Sequence, residues 1–130
     1  MIFELTNQLR VSNINEGISW YEQLFQKQPD FIPHEGFVEW EMVTGSWLQI
    51  AEGVPSKESG PLRLGVTNIE AQRSRVMKDL GVEEFEIHSR EEVPVKWGTF
   101  LDPWGNSIGF YEYLDKKEEK DRIDTVFNRG

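Results

Sequence analysis

The chain has 130 residues, with 23 acidic against 14 basic side chains and a net charge of -9, which opposes binding to phosphate backbones because lysine and arginine supply most of that affinity. With no cysteine, disulfides, thiol nucleophiles and thiolate metal sites are excluded together. No run approaches the roughly 18 apolar residues that a membrane span needs, so neither nucleic acid nor membrane is an expected partner.

The opening MIFELTNQLR has no basic region leading into an apolar run, and the expectation is a cytoplasmic chain without a leader. Leu9 and Val11 alternate with polar residues as a half-buried strand does. Ile14, Ile18, Tyr21 and Phe25 then recur at spacings of four, three and four, one stripe of a helix. Asn13 precedes that stripe as its N-cap, with Glu16 completing an N-x-x-E box. Three strand-like runs follow at Asp30 to His34, Phe37 to Val43 and Trp47 to Glu52, the last two joined by the turn Thr44-Gly45-Ser46.

The segment GVPSKESG, 53–60, is rich enough in Gly, Pro and Ser to act as a linker. Beyond it LGVTNIE repeats LRVSNIN with an offset of 55 residues. The same offset carries Ile14 to Ile69, Tyr21 to Val76 and Phe25 to Leu80, with Ile18 falling on Arg73 as the one mismatch. Asn68 is the expected second N-cap and Gly81 the expected helix end. Strands are expected at Glu84 to His88, Val95 to Leu101 and Ser107 to Leu114, with Asp102-Pro103-Trp104-Gly105-Asn106 turning between the last two.

Each half therefore reads βαβββ. Two such tandem modules predict an α+β fold: a curved mixed sheet with helices outside and a concave cleft. The expected organisation is a single domain over 1–114, with module one at 1–53 and module two at 60–114, and a charged C-terminal tail over 115–130 that reads as a solvated helix face or a loose tail. Within that tail Ile123, Val126 and Phe127 could dock one short turn.

The stretches LRVSNINEGISWYEQLF and FLDPWGNSIGFYE, together with the repeat, resemble the vicinal oxygen chelate superfamily. That superfamily includes glyoxalase I, bleomycin-resistance proteins, fosfomycin-resistance proteins and extradiol dioxygenases. The resemblance covers residues 3 to 114, and Trp104 replaces the usual aspartate of the family's DPDGN hairpin. It implies a homodimer, and metal ligands on the first and last strands of each half. The corresponding positions here hold Thr6, Gln49, Pro61 and Gly109, none of them His, Asp or Glu. No metal and no other cofactor is therefore expected.

Glu52 and Glu112 lie three residues past those positions, and an odd shift puts a strand side chain on the opposite face. Glu4 shares the face of Thr6 but sits two residues away. His34 and His88 fall on the second strands of the two halves, where either could join Glu35, Glu39 or Glu41 in an unconventional site or act as a general base.

Period-two alternation sends Gln8, Arg10, Trp47, Arg63 and Tyr111 to the same face as Thr6 and Gln49. These seven residues form the candidate ligand-binding set, offering flat aromatic faces, amides and two arginine forks. The same lining suits a protein interface. Trp20, Trp40, Trp97 and Trp104 each fit a core, dimer-interface or cleft-rim role; Trp20 is assigned to structure, and Trp40 and Trp97 are left as candidate walls of the cleft. The expected function is metal-free binding of a small molecule. The alternatives are a lyase, isomerase or dioxygenase with an unconventional metal or acid/base site, and an accessory dimer without a small ligand.

Overall fold

The computed structural model describes residues 1–56 and 60–127, so the middle of the expected linker, 57–59, lies outside the described residues. Contacts divide the chain into two compact units. The first comprises 1–59 with 103–106, and the second 60–102 with 107–130.

In the first unit the strands are β1 (Leu5–Val11), β2 (Phe31–His34), β3 (Phe37–Val43) and β4 (Ser46–Glu52), with helix α1 (Ile14–Phe25) between the first two. They form a sheet of order β1-β4-β3-β2, in which β1 and β4 are parallel and the other pairs antiparallel. Strict alternation puts Leu9, Val11, Val38, Trp40, Leu48 and Ile50 on the covered side, all buried. Trp20, Tyr21 and Leu24 of α1 are buried too. The Phe25 ring meets Trp40 edge to face at 5.3 Å, and Trp40 Nε1 donates to the Lys27 carbonyl at 3.0 Å. Trp20 and Trp40 are thus core residues; of the roles left open for Trp40 the core is the one it takes, and it does not wall a cleft. Its indole buries a large apolar area and satisfies its one donor at the same time.

The second unit holds β5 (Leu62–Gly65), α2 (Ile69–Leu80), β6 (Val95–Leu101), β7 (Ser107–Tyr113) and α3 (Lys116–Phe127). Its sheet has the order β5-β7-β6. Ile108 and Phe110 of β7, Phe100 of β6, and Ile69 and Val76 of α2 are buried, with Phe85 against Phe100 at 5.1 Å between ring centres.

The caps form as the local chemistry dictates. Asn13 Oδ1 accepts the Glu16 amide at 3.1 Å and Asn68 Oδ1 the Ala71 amide at 3.0 Å, filling orphan donors of the first turns. Gly81 closes α2 in the left-handed region at φ 65°. The α+β class with tandem modules stands, and the strands lie in two hydrogen-bonded sheets, one in each unit.

One element differs from expectation, and the charged tail takes one of its two expected forms, a solvated helix. Glu84 to His88 is not a strand: only His88 pairs, bridging to Trp97. The Phe85 ring turns in against Gly98, where an added Cβ would stand 2.8 Å from Phe85 Cε2 and 3.0 Å from the Glu86 carbonyl oxygen. That inward anchor draws the backbone off a regular ladder with β6. The charged tail forms the twelve-residue helix α3, which buries no residue. Ion pairs at i,i+4, Glu118 with Arg122 at 3.0 Å and Lys120 with Asp124 at 2.8 Å, support it from its own surface.

Candidate functional site

The side of the first sheet away from α1 carries the residues of opposite parity to the core. Thr6 lies opposite Trp47, and Gln8 opposite Gln49. Gln49 also lies opposite Glu39 on β3. The three long side chains join across the strands: Gln8 Nε2 donates to Gln49 Oε1 at 3.3 Å, and Gln49 Nε2 donates to Glu39 Oε2 at 3.1 Å. Five expected residues, Thr6, Gln8, Arg10, Trp47 and Gln49, share this face.

A cavity of about 680 Å³ at the end of the face is lined by Gln8, Arg10, His34, Phe37 and Glu52 among others. Arg10 reaches it over Gly53, where a Cβ would stand 2.7 Å from Nη1. The His34 ring lies 5.2 Å from that of Phe37, and its Nδ1 is 2.8 Å from the Glu35 carbonyl oxygen. Thr6, Trp47 and Gln49 are not among the lining residues of this cavity. The Trp47 Nε1 is buried without a hydrogen-bond partner among the described residues.

The second sheet presents Arg63 and Gly65 of β5, Trp97 of β6, and Gly109, Tyr111 and Tyr113 of β7 on its side of opposite parity to the core. Trp97 lies directly opposite Tyr111. The Tyr111 ring extends over Gly65, whose missing Cβ would stand 3.1 Å from Tyr111 Cζ. Arg63 lies opposite Gly109, and its Cγ would be 3.3 Å from a Cβ there. Arg63, Trp97, Tyr111 and Tyr113 meet around a cavity of about 610 Å³, which Arg90, Glu118 and Arg122 also line. The Arg122 guanidinium stacks 4.7 Å above the Tyr113 ring centre.

Arg63 and Tyr111 are therefore brought together, along with Trp97, one of the candidate walls read from the sequence. Tyr113 was legible by parity, standing two residues after Tyr111. Arg122 and Arg90 were not, since only the folded course of α3 and of the segment before β6 brings them there. Glu39, weighed in the sequence only as a partner for histidine, joins Gln49 instead.

Glu112 faces the opposite way, as its parity requires. It is buried, accepts the Ile69 amide at 2.7 Å and pairs with Lys116. Burial raises its pKa, but the Lys116 ammonium, the Ile69 amide and Lys96 together outweigh that and hold the carboxyl below its ordinary value.

No protein-family model matches the sequence, and no curated protein matches it. Solved structures do match. A glyoxalase / bleomycin resistance protein from Catenulispora acidiphila aligns at 29% identity and a TM-score of 0.66, over 85% of this chain and 97% of its own. The fosfomycin resistance protein FosX from Listeria monocytogenes aligns at 17% identity and a TM-score of 0.71, over 90% and 98%. The chain has the vicinal oxygen chelate fold. A glyoxalase-related enzyme from Clostridium phytofermentans has the same fold at 13% identity, with a TM-score of 0.68 over 88% and 97% of the two chains.

By the resemblance, the positions that carry metal ligands in metal-dependent members are Thr6, Gln49, Pro61 and Gly109 here. Pro61 and Gly109 carry none, and at Gly109 even a Cβ would meet the Gly98 carbonyl oxygen at 2.7 Å. The Gln49 amide is committed to Gln8 and Glu39. Among the described residues no three His, Asp or Glu gather in a metal-holding group. These positions do not suit a divalent ion, which needs about three protein ligands. Among the described residues, no helix is long and apolar enough to cross a membrane.

Proposed function

We propose that this protein binds small organic molecules on the open side of its sheets, independently of a divalent metal. The observation that carries the reading is the meeting of Arg63, Trp97 and Tyr111 around one cavity of about 610 Å³. That volume falls in the range of small-molecule sites, roughly 300–1,000 Å³. Among proteins of the same fold, FosX has been crystallised with Mn(II) and 1S,2S-dihydroxypropylphosphonic acid. The donor chemistry at Thr6, Gln49, Pro61 and Gly109 favours a metal-independent version here. A cytoplasmic homodimer belongs to this reading, and sedimentation equilibrium reads the oligomeric state.

The test is thermal unfolding of untagged protein against a chemically mixed ligand library, with and without added Mn(II). Binding at about one hundred times Kd stabilises by roughly 2.7 kcal/mol, a shift of several degrees for a chain of this size. A hit whose shift is the same with and without the metal supports the proposal. A silent library, or hits that need Mn(II), would overturn it.

A second reading, catalysis as a lyase, isomerase or dioxygenase, is favoured by Glu39, a carboxylate held against Gln49 on the open face. It predicts turnover that Glu39→Gln abolishes while thermal stability is retained.

A further inference from the structure

We propose that the cavity of the second unit is a site for planar aromatic carboxylates, with Arg63 as the fork that takes the carboxylate. This rests on the small-molecule reading above and names its ligand class and place.

Three arginines face this cavity against one glutamate, in a chain whose net charge is -9. Two of the three are engaged. Arg90 pairs with Glu92 at 3.2 Å. Arg122 pairs with Glu118 and stacks on Tyr113. Arg63 is exposed and makes no ion pair or side-chain hydrogen bond among the described residues. Its stem passes beside Gly109, which has no side chain to block it, so the guanidinium enters the cavity with its five donors unspent.

A planar fork of donors matches a carboxylate with two parallel bonds, which a point-like ammonium cannot do. The aromatic half of the ligand follows from the neighbours. Trp97 and Tyr111 stand opposite each other on adjacent strands, and Tyr113 meets Tyr111 edge to face at 5.9 Å between centres. Such rings take a flat partner by stacking or edge contact. A cationic ligand would meet three guanidinium groups, and a small inorganic anion would leave the ring faces unused.

The experiment is isothermal titration of the full-length protein with three probes of one shape: 2-naphthoate, neutral 2-naphthamide and cationic 2-naphthylmethylammonium. The expected result is naphthoate at least tenfold tighter than naphthamide, with the cation weakest. Arg63→Gln is expected to bring naphthoate down to the affinity of the amide, and Arg63→Lys to an intermediate value. Lys78→Gln, at an exposed position of α2 away from both cavities, should change nothing. Because Arg63 is exposed, its variants should keep the wild-type melting temperature, so lost binding reads as a lost contact.

Equal affinity for acid and amide, indifference to Arg63→Gln, or competition by inorganic phosphate as strong as by naphthoate would each overturn the assignment. If all three probes fail while other library compounds stabilise the protein, this proposal falls and small-molecule binding stands. If the whole library is also silent, both fall.

Discussion

The Glu112 carboxylate accepts the backbone amide of Ile69, the first residue of α2, at 2.7 Å. One repeat earlier Glu52 stands in the same relation to Ile14, the first residue of α1, at 3.4 Å. In each unit the last strand of the sheet thus supplies an anion to the start of the helix, where free amides and the helix dipole favour negative charge. The strength differs with the surroundings: Glu112 is buried and Glu52 exposed.

Glu112→Ala should therefore cost about 1.5–3 kcal/mol, the range for hydrogen bonds to charged groups, since it strips both the amide and the Lys116 contacts. Glu52→Ala should cost about 0.5 kcal/mol, the low end of the range for a solvated bond. Urea midpoints with unchanged m values measure both. Equal costs would mean that burial is not what separates the two caps.

The pH dependence follows from the same carboxyl. Its folded pKa lies below the ordinary 4.5, so the stabilisation it contributes is fully present above that value and is lost as pH falls through the lower folded one. Asp30, lowered by Lys27, and Glu70, lowered by Lys96, act in the same direction. At the alkaline end Lys116, raised above 10.5 chiefly by Glu112, contributes stability that disappears as pH rises through its folded pKa. Melting temperature is expected to fall below pH 4.5 in the wild type and to fall less steeply in Glu112→Gln. Parallel curves would place the acid loss elsewhere.

Local chemistry made most of the frame legible. Asn13 and Asn68 cap helices because a short side-chain acceptor next to an apolar stripe has few other uses, and parity alone separated Thr6, Gln8, Arg10, Trp47 and Gln49 from the core. It also placed Glu112 on the helix side. The role of Trp40 stayed open between core and cleft wall because its burial depends on Phe25 and Lys27, thirteen and more residues away. Glu84 to His88 was misread because the space at Gly98, which admits Phe85, belongs to another strand. The gathering of Arg90 and Arg122 around Tyr111 and Tyr113 needed the folded course of two segments that carry no periodic signal.

Gly17 tests how tightly the first unit is packed. An alanine inside α1 gains about 1 kcal/mol of helix propensity over glycine. Its Cβ, however, would stand 2.8 Å from Val11 Cγ2, and Val11 is fully buried with a stiff branched side chain. Overpacking of this kind costs typically 1–3 kcal/mol, so Gly17→Ala should destabilise on balance. A higher urea midpoint than wild type would mean that α1 can lift off β1 at little cost.

Gly65→Ala isolates the aromatic wall of the second unit. No positive φ is required at Gly65, so the backbone tolerates alanine, and the atoms in the way are Tyr111 Cζ and Oη at 3.1 Å. They are the far end of a rotatable ring, which moves aside more cheaply than backbone does. The lower entropy of the unfolded alanine chain, worth about 0.4–1 kcal/mol, opposes the cost of moving it. Stability should therefore stay within about 1 kcal/mol of wild type, while the displaced Tyr111 ring no longer faces Trp97 as before. Affinity for 2-naphthoate is expected to fall several-fold with the acid-to-amide preference kept, because Arg63 is untouched. Full affinity in Gly65→Ala would mean that Tyr111 does not touch the ligand and would leave Trp97 as the stacking partner.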